Sequence, residues 1–554
     1  MSSTVGAARA APAFLNFYAR LSASGWAFAA ALIALLVLVP VGVVLASLWT
    51  PQTEVWAHLV EHVLPDLLIN TFWLVLGVGT GVAVLGVSLA WLTTMCEFPG
   101  RRVLSWALLL PLAIPGYVLG FVFIGLFDFT GPVQSVLREA FGTIKFPPVR
   151  SRGGVILVMT LTLYPYVYLI ARNAFLTQGR RALEVAQSLG LSRRAAFYRV
   201  ALPMARPWIA GGVMLAVMET LADFGTVAVF NYDTFTTGIY KAWYGLFSLP
   251  AASQLASLLV VLVFALVLAE QYTRSRKSYT TAGRHAAPRD RIMLRGAQRW
   301  GATLYGCVIV AFAFVIPLIQ LGVWAFEASA ADLDARYFEF LWHSLALGGL
   351  AAVVTAAVAL TLSYSARRHR SGNFTRWLTR VATLGYALPG PVLAVGTFIP
   401  IAWLDRHLGK LLQSGFNIDA PNLLQGTLLT MLMAYTVRFL AVSYNPIDGN
   451  MQRITRSVDD AARSLGVSGI AMLARVHVPI LRGGLITGML LVFVDVMKEM
   501  PITLMTRPFG WDTLAIRIFE MTSDGQWERA ALPAVALVLA GLAPIALLTR
   551  YTER

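Results

Sequence analysis

Hydrophobic residues along this chain fall into long uninterrupted blocks, not into the short alternating or helical stripes of a water-soluble fold. A helix that crosses a bilayer needs about 20 consecutive, mostly apolar residues, and blocks of that length recur from end to end. Read in order they predict about twelve spans, near 25–49, 68–94, 104–128, 153–175, 208–230, 248–270, 301–326, 341–364, 381–404, 423–443, 484–503 and 531–549. Small and polar residues with Arg9 and Arg20 precede the first block, which is too long for a signal-peptide core and has no cleavage pattern after it. It reads as a retained helix.

The polar stretches between blocks alternate in character. Arg101 and Arg102, then Arg180, Arg181, Arg193, Arg194 and Arg199, then Arg274, Arg276 and Lys277 fall in every second loop. The cluster at 367–370, then Arg453, Arg456 and Arg463, and finally Arg550 continue the series. The other loops carry Glu54, Glu61, Asp66, Asp332, Asp334 and Asp524. Under the positive-inside rule the basic loops and both termini face the cytoplasm.

Composition agrees with lipid as the main solvent. Of 554 residues, 57% are hydrophobic and 13% charged, against roughly 25% charged in a soluble domain. The mean hydropathy is +0.68. The net charge of +16 is scattered among loops, so it fits membrane topology and an anionic leaflet and points to no nucleic-acid partner. Cys96 and Cys307 suggest no structural disulfide. His343, His369, His407 and His477 have no metal-ligand spacing, and no cofactor is expected.

An internal duplication is the most informative feature. Residues 184–190 read E-V-A-Q-S-L-G and lead to Pro203; residues 460–466 read D-A-A-R-S-L-G and lead to Pro479. The offset is 276 residues throughout, and each copy follows the fourth block of its half. The chain therefore divides into an N-terminal segment 1–24, a six-helix half 25–270, a basic linker 271–300, a second half 301–549 and a tail 550–554. Each repeated loop predicts a short helix stopped by its glycine, Gly190 or Gly466, and a second short helix ended by proline.

Segments 184–203 and 460–479 resemble the E-A-A…G…L-P loop of binding-protein-dependent ABC importer permeases. The resemblance implies a type I permease fold, all-α, in which Glu184, Ala186, Gly190 and Pro203, and Asp460, Ala462, Gly466 and Pro479, form coupling helices. These would dock on two copies of a cytoplasmic ATPase, while a periplasmic binding protein delivers the cargo. Asp460 stands where the family usually has Glu. Further stretches are similar to fused ferric-iron permeases: L-P-L-A-I-P-G-Y-V-L-G-F (110–121), A-D-F-G-T-V (222–227), T-F-T-T-G-I-Y (234–240), A-L-P-G-P-V-L-A-V-G (387–396), V-R-F-L-A-V-S-Y-N-P (437–446) and V-M-K-E-M-P-I-T-L (496–504). Fused permeases for thiamine or polyamines share this layout.

Extending the repeat aligns Glu219 with Asp495 and Asp223 with Glu499, each pair spaced i, i+4 on one predicted helix, with Lys498 beside the second pair. Ionisable residues inside a span are costly and usually face a cavity or the bundle interior. These five are the candidates for a translocation pathway or gate. The residue types favour a gate or structural role, pairing with Lys498 or Arg507 or capping helix breaks near Gly225 and Pro501, over contact with a cation; a tight metal site is not expected. Pro115 and Pro389 read as kinks. Tyr164, Tyr166 and Tyr168 fit an interfacial belt or a lining equally.

The chain has no G-x-x-x-x-G-K-[ST] phosphate loop, so ATP hydrolysis falls to a separate subunit, and no nucleophile–base constellation suggests an enzyme. An ion-coupled secondary transporter is the alternative class, but it has no physical need for two matched docking loops.

Overall fold

The computed structural model describes residues 11–49, 53–142, 147–179, 186–275, 291–368, 373–416 and 423–552. Nearly all of them are helical. Among the described residues, nine helical runs are long and apolar enough to cross a membrane. A tenth is a pair, Phe374–Ala387 and Gly390–Gly415, bent by 117° around Pro389. Two further helices, Leu428–Met451 and Trp527–Thr552, cover the blocks expected at 423–443 and 531–549. The block at 104–128 is not one helix. It is built from Arg101–Ala107, a 3-10 turn at Leu110–Ala113 and Gly116–Phe127, because Pro111 and Pro115 each remove a backbone donor and obstruct the preceding turn.

The described residues form two compact units, which cut across the sequence halves. One unit falls within Met1–Leu48, Trp342–Thr513 and Ala543–Arg554, and the other within Trp49–Leu341 and Leu514–Leu542. In the first unit the long helix Ala11–Ala46 buries Ala30 and Ala34 among Ala356, Ala359, Leu362, Leu440 and Ile447. In the second, the run Ala297–Ser329 joins helices of the first sequence half: the Tyr305 hydroxyl lies 2.8 Å from Ser88 Oγ. Duplication is thus a relation of sequence, while packing assigns one long helix of each half elsewhere.

Small residues set the closest helix contacts, as expected where lipid is no better excluded by one apolar side chain than another. A Cβ on Gly77, Gly81 or Gly86 of helix Leu64–Met95 would come within 2.6 Å of Ile156, Thr160 or Val167 on helix Arg152–Ala174. Those three glycines allow the two backbones to approach.

The only regular β-structure among the described residues is a parallel pair, Cys96–Glu97 with Ile292–Met293. It ties the end of the basic linker to the loop after the second span. Partial burial pushes the Glu97 carboxyl up, but Arg101 and Arg291 outweigh it and hold the group below its ordinary value, at 3.1 Å each. The linker's residues 276–290 lie outside the described residues.

Candidate functional site

The two repeated loops have the same backbone geometry. Gly190 and Gly466 are left-handed, with φ of +84° and +77°. In the first copy the N–H of Leu191 donates to Ala186 O (3.0 Å) and that of Gly190 to Gln187 O (2.9 Å); in the second, Val467 donates to Ala462 O (2.9 Å) and Gly466 to Arg463 O (3.0 Å). Each pattern is a Schellman closure, which satisfies the last carbonyls of a helix by turning through a left-handed residue. It fixes Ala186 and Ala462 inward, both buried, and presents Leu189 and Leu465 outward at 78% and 81% exposure. Glu184 lies outside the described residues. Asp460 is exposed and pairs with Arg463 at 2.6 Å.

Past the glycines the structure corrects the expectation of a second short helix ended by proline. Arg193–Ala196 runs through a π-turn, Phe197–Ala201, straight into the long helix Leu202–Ala222. Its counterpart runs from Gly469–Met472 through the π-turn Leu473–His477 into Val478–Met497. Pro203 and Pro479 sit in the first turn of the long helix, and the widened turn before each of them accommodates the missing donor. Both prolines therefore join the loop to the fifth span of its half instead of separating them.

The second loop has an anchor that the repeat did not reveal. Asp459, beside Asp460 but on the inner side of helix Arg456–Ser464, accepts from Arg367 Nε (3.1 Å) and Nη2 (2.8 Å) through Oδ2. Its Oδ1 lies 2.8 Å from His477 Nε2. Arg367 also donates to the carbonyls of Met451 (3.0 Å), Ile454 (2.9 Å) and Thr455 (3.3 Å). Tyr364 packs its ring at 5.4 Å from that of His477 and donates to Gly469 O (3.2 Å). Desolvation raises the Asp459 carboxyl, yet His477 and Arg367 together hold it below its ordinary value. Asp459 escaped notice because its aligned position in the first copy is Leu183, and Arg367 looked like one more topological cation.

The acids inside the spans separate into two kinds. The i, i+4 spacing does not put each pair on one helix face, because the helices end between the two acids, at Ala222 and Met497. Asp223 turns back to cap the short helix Gly225–Val229: Thr226 and Val227 N–H donate to Oδ1 (2.9 and 3.2 Å), and the Thr226 hydroxyl donates to Oδ2 (2.9 Å). Glu499 does the same for Pro501–Thr506, accepting from Ile502 N–H (3.1 Å) and Thr503 N–H (3.2 Å). Broken helices inside a membrane leave backbone donors that no water can satisfy, and these carboxylates satisfy them.

The proline–glycine turns seat against the same breaks. A Cβ on Gly116 would lie 2.6 Å from Thr226 Oγ1 and 3.6 Å from Asp223 Oδ2; one on Gly390 would lie 2.7 Å from Pro501 Cγ and 2.9 Å from Glu499 Oε1. Pro115 and Pro389 are thus more than kinks, since each delivers a glycine to a capping acid. In the second copy Arg438 acts electrostatically on Glu499 and donates to Leu388 O at 3.1 Å. Glu219 and Asp495 stay on their helices, half-buried. Lys498 Nζ reaches Asp495 at 3.4 Å, whereas Arg507 pairs with Asp512 at 3.0 Å.

Tyr164 and Tyr168 are neither belt nor lining. Both are buried and donate to Leu108 O and Ser105 O, each at 2.9 Å, holding the break in the third span. No group of three metal-ligating side chains occurs among the described residues.

A polytopic helical chain with two matched loops, each leading into a span that breaks at a capped acid, has the makings of a membrane transport subunit. Residues 82–277 and 357–554 each match the family described as "Binding-protein-dependent transport system inner membrane component". The chain belongs to that family: it is a multi-pass inner-membrane permease, not an enzyme, and its class works with an ATPase and a periplasmic binding protein. It is 27% identical over 490 residues to the Fe(3+)-transport system permease protein FbpB 2 of Haemophilus influenzae, covering 88% of this chain and 90% of that one. It is 21% identical to the ferric transport system permease protein FbpB of Actinobacillus pleuropneumoniae, over 86% of this chain and 69% of that one. The molybdenum transport system permease protein ModB of Escherichia coli is 30% identical over 33% of this chain and 80% of its own.

Proposed function

We propose that this permease imports ferric iron by alternating access, driven through the two repeated loops by a pair of identical cytoplasmic ATPase subunits. The observation that carries the coupling reading is the identical closure of the two loops, with Leu189 and Leu465 exposed at matching positions. A rigid apolar knob on a surface helix suits a groove in a partner protein. Residues 184–203 and 460–479 receive the push, and the continuous helices behind Pro203 and Pro479 carry it into the spans. The basic loops and both termini lie on the cytoplasmic side, following the distribution of arginine. Asp223 and Glu499 hold the broken helices of a gate, while Glu219, Asp495 and Lys498 give its approach a polar character.

Iron as cargo rests on the printed function of the relatives that match along most of the chain. The match to a molybdenum permease covers a third of this chain and marks shared machinery, not shared cargo. The test is uptake by the permease reconstituted with its ATPase and binding protein, with radiolabelled ferric iron and thiamine offered in parallel. Iron accumulation that needs ATP and both partners supports the whole reading. Thiamine uptake would retain the machine and discard the cargo, and uptake without ATP would overturn the class of mechanism.

A further inference from the structure

The second loop is held by charge, through Arg367 and Asp459. Its helix, Arg456–Ser464, packs Val458 against the cluster of Tyr364 and Leu481, and Asp459 adds a polar tie to two membrane-crossing helices: Arg367 comes from the end of Ala335–Arg368, and His477 from the π-turn that opens Val478–Met497. Arg367 is 6% exposed and His477 1% at the side chain. With Arg368, Arg456, Asp460 and Arg463 they line a cavity of about 450 Å³. Two of its four arginines are matched to its two aspartates, Arg367 on Asp459 and Arg463 on Asp460.

The first half solves the same problem differently. Helix Leu64–Met95, its second long helix, contains no basic residue. The positions aligned with Asp459 and His477 are Leu183 and Ala201, and Ala201 is buried. In that region Trp91 packs on Phe175 and Phe197, with ring centroids at 5.4 and 4.4 Å. Apolar packing tolerates small slips, because dispersion contacts are many and non-directional. A guanidinium that donates to a carboxylate and three carbonyls has one geometry only.

We infer that Arg367 is a positioning residue for transport: with Asp459 and His477 it locks the second coupling helix to its spans, so that this loop transmits the ATPase stroke through a directional polar joint while the first transmits it through aromatic packing. The inference rests on the coupling reading proposed above. It predicts that the two loops are not interchangeable, and that breaking the joint lowers the yield of transport per ATP without altering the encounter with the loaded binding protein.

The test uses the full complex in proteoliposomes, with radiolabelled ferric iron delivered by its binding protein, and compares Arg367→Met, the isosteric Asp459→Asn, their double variant and Gly466→Val. Iron moved per ATP hydrolysed is expected to fall about tenfold in either single variant, within the usual range of coupling free energies. The half-saturating concentration of loaded binding protein should stay constant, and the double variant should be no worse than either single one, since both remove the same joint. If Arg367→Met does not insert, Asp459→Asn decides by the same ratio. Normal coupling in the clamp variants alongside uncoupling by Gly466→Val would overturn the inference and leave the loop reading intact. Normal coupling in all of them would overturn the loop reading itself. Additive losses in the double variant would show separate roles and would also overturn the joint.

Discussion

Replacing Gly466 tests backbone geometry separately from bulk. An ideal Cβ at Gly466 or Gly190 meets nothing within 4 Å, so no side chain of the permease obstructs a substitution. The cost is then conformational. At φ of +77° an ordinary residue is strained by about 1–2 kcal/mol, asparagine by less, and a β-branched residue by the most. The strain falls on the two bonds that close the helix, Gly466 N–H to Arg463 O and Val467 N–H to Ala462 O. At 1.4 kcal/mol per factor of ten, Gly466→Val should shift the loop toward its open form by about tenfold. Gly466→Asn, of similar volume, should shift it far less. Hydrogen exchange on the reconstituted permease reads this directly, because exchange of residues 456–470 follows the opening equilibrium when reclosing is fast. Exchange should rise about tenfold for the valine variant, with transport per ATP falling in the same order across Asn, Ala and Val. Equal uncoupling by Asn and Val would mean that bulk at a docking surface matters and the left-handed turn does not. Unchanged exchange with valine would refute the strain argument.

The capping acids should tolerate amides better than truncation: Asp223→Asn keeps an oxygen acceptor, whereas Asp223→Ala or Glu499→Ala loses a cap of about 1 kcal/mol and leaves buried donors unsatisfied. Thermal unfolding and uptake should both rank Asn above Ala at position 223; if Asn alone abolished uptake in a folded protein, the charge would be what matters there. The combined Glu219→Gln and Asp495→Asn variant should impair iron uptake, and unchanged uptake would remove these acids from the pathway. For Glu97, a folded carboxyl held below its ordinary value means that the Arg101–Arg291 tie is present above the ordinary carboxylate range and is lost as pH falls through the depressed value. Protection of residues 291–294, corrected for intrinsic exchange, should therefore stay flat from about pH 8 to 5 and fail on stronger acidification. In Glu97→Gln it should be weak at every pH.

The sequence by itself determined the medium, the helical class and the duplication. A run of apolar residues has no stable alternative to a helix in lipid, and a repeat at constant spacing preserves whatever local geometry it encodes. Gly190 and Gly466 were legible for that reason, since a helix stop is a property of a few adjacent residues. The caps were half legible: Gly225 and Pro501 marked breaks, but spacing alone put Asp223 on a helix that ends one residue earlier. Packing and long-range pairing belong to the tertiary structure. Nothing local says that Ala11–Ala46 packs with second-half helices, because a lipid-soluble face suits many partners. Nor could spacing join Arg367 to Asp459 across 92 residues, or show that Gly116 and Gly390 approach the capped breaks. A buried charge must find its partner in space, and the repeat that revealed the loops concealed that joint, since only one copy has it.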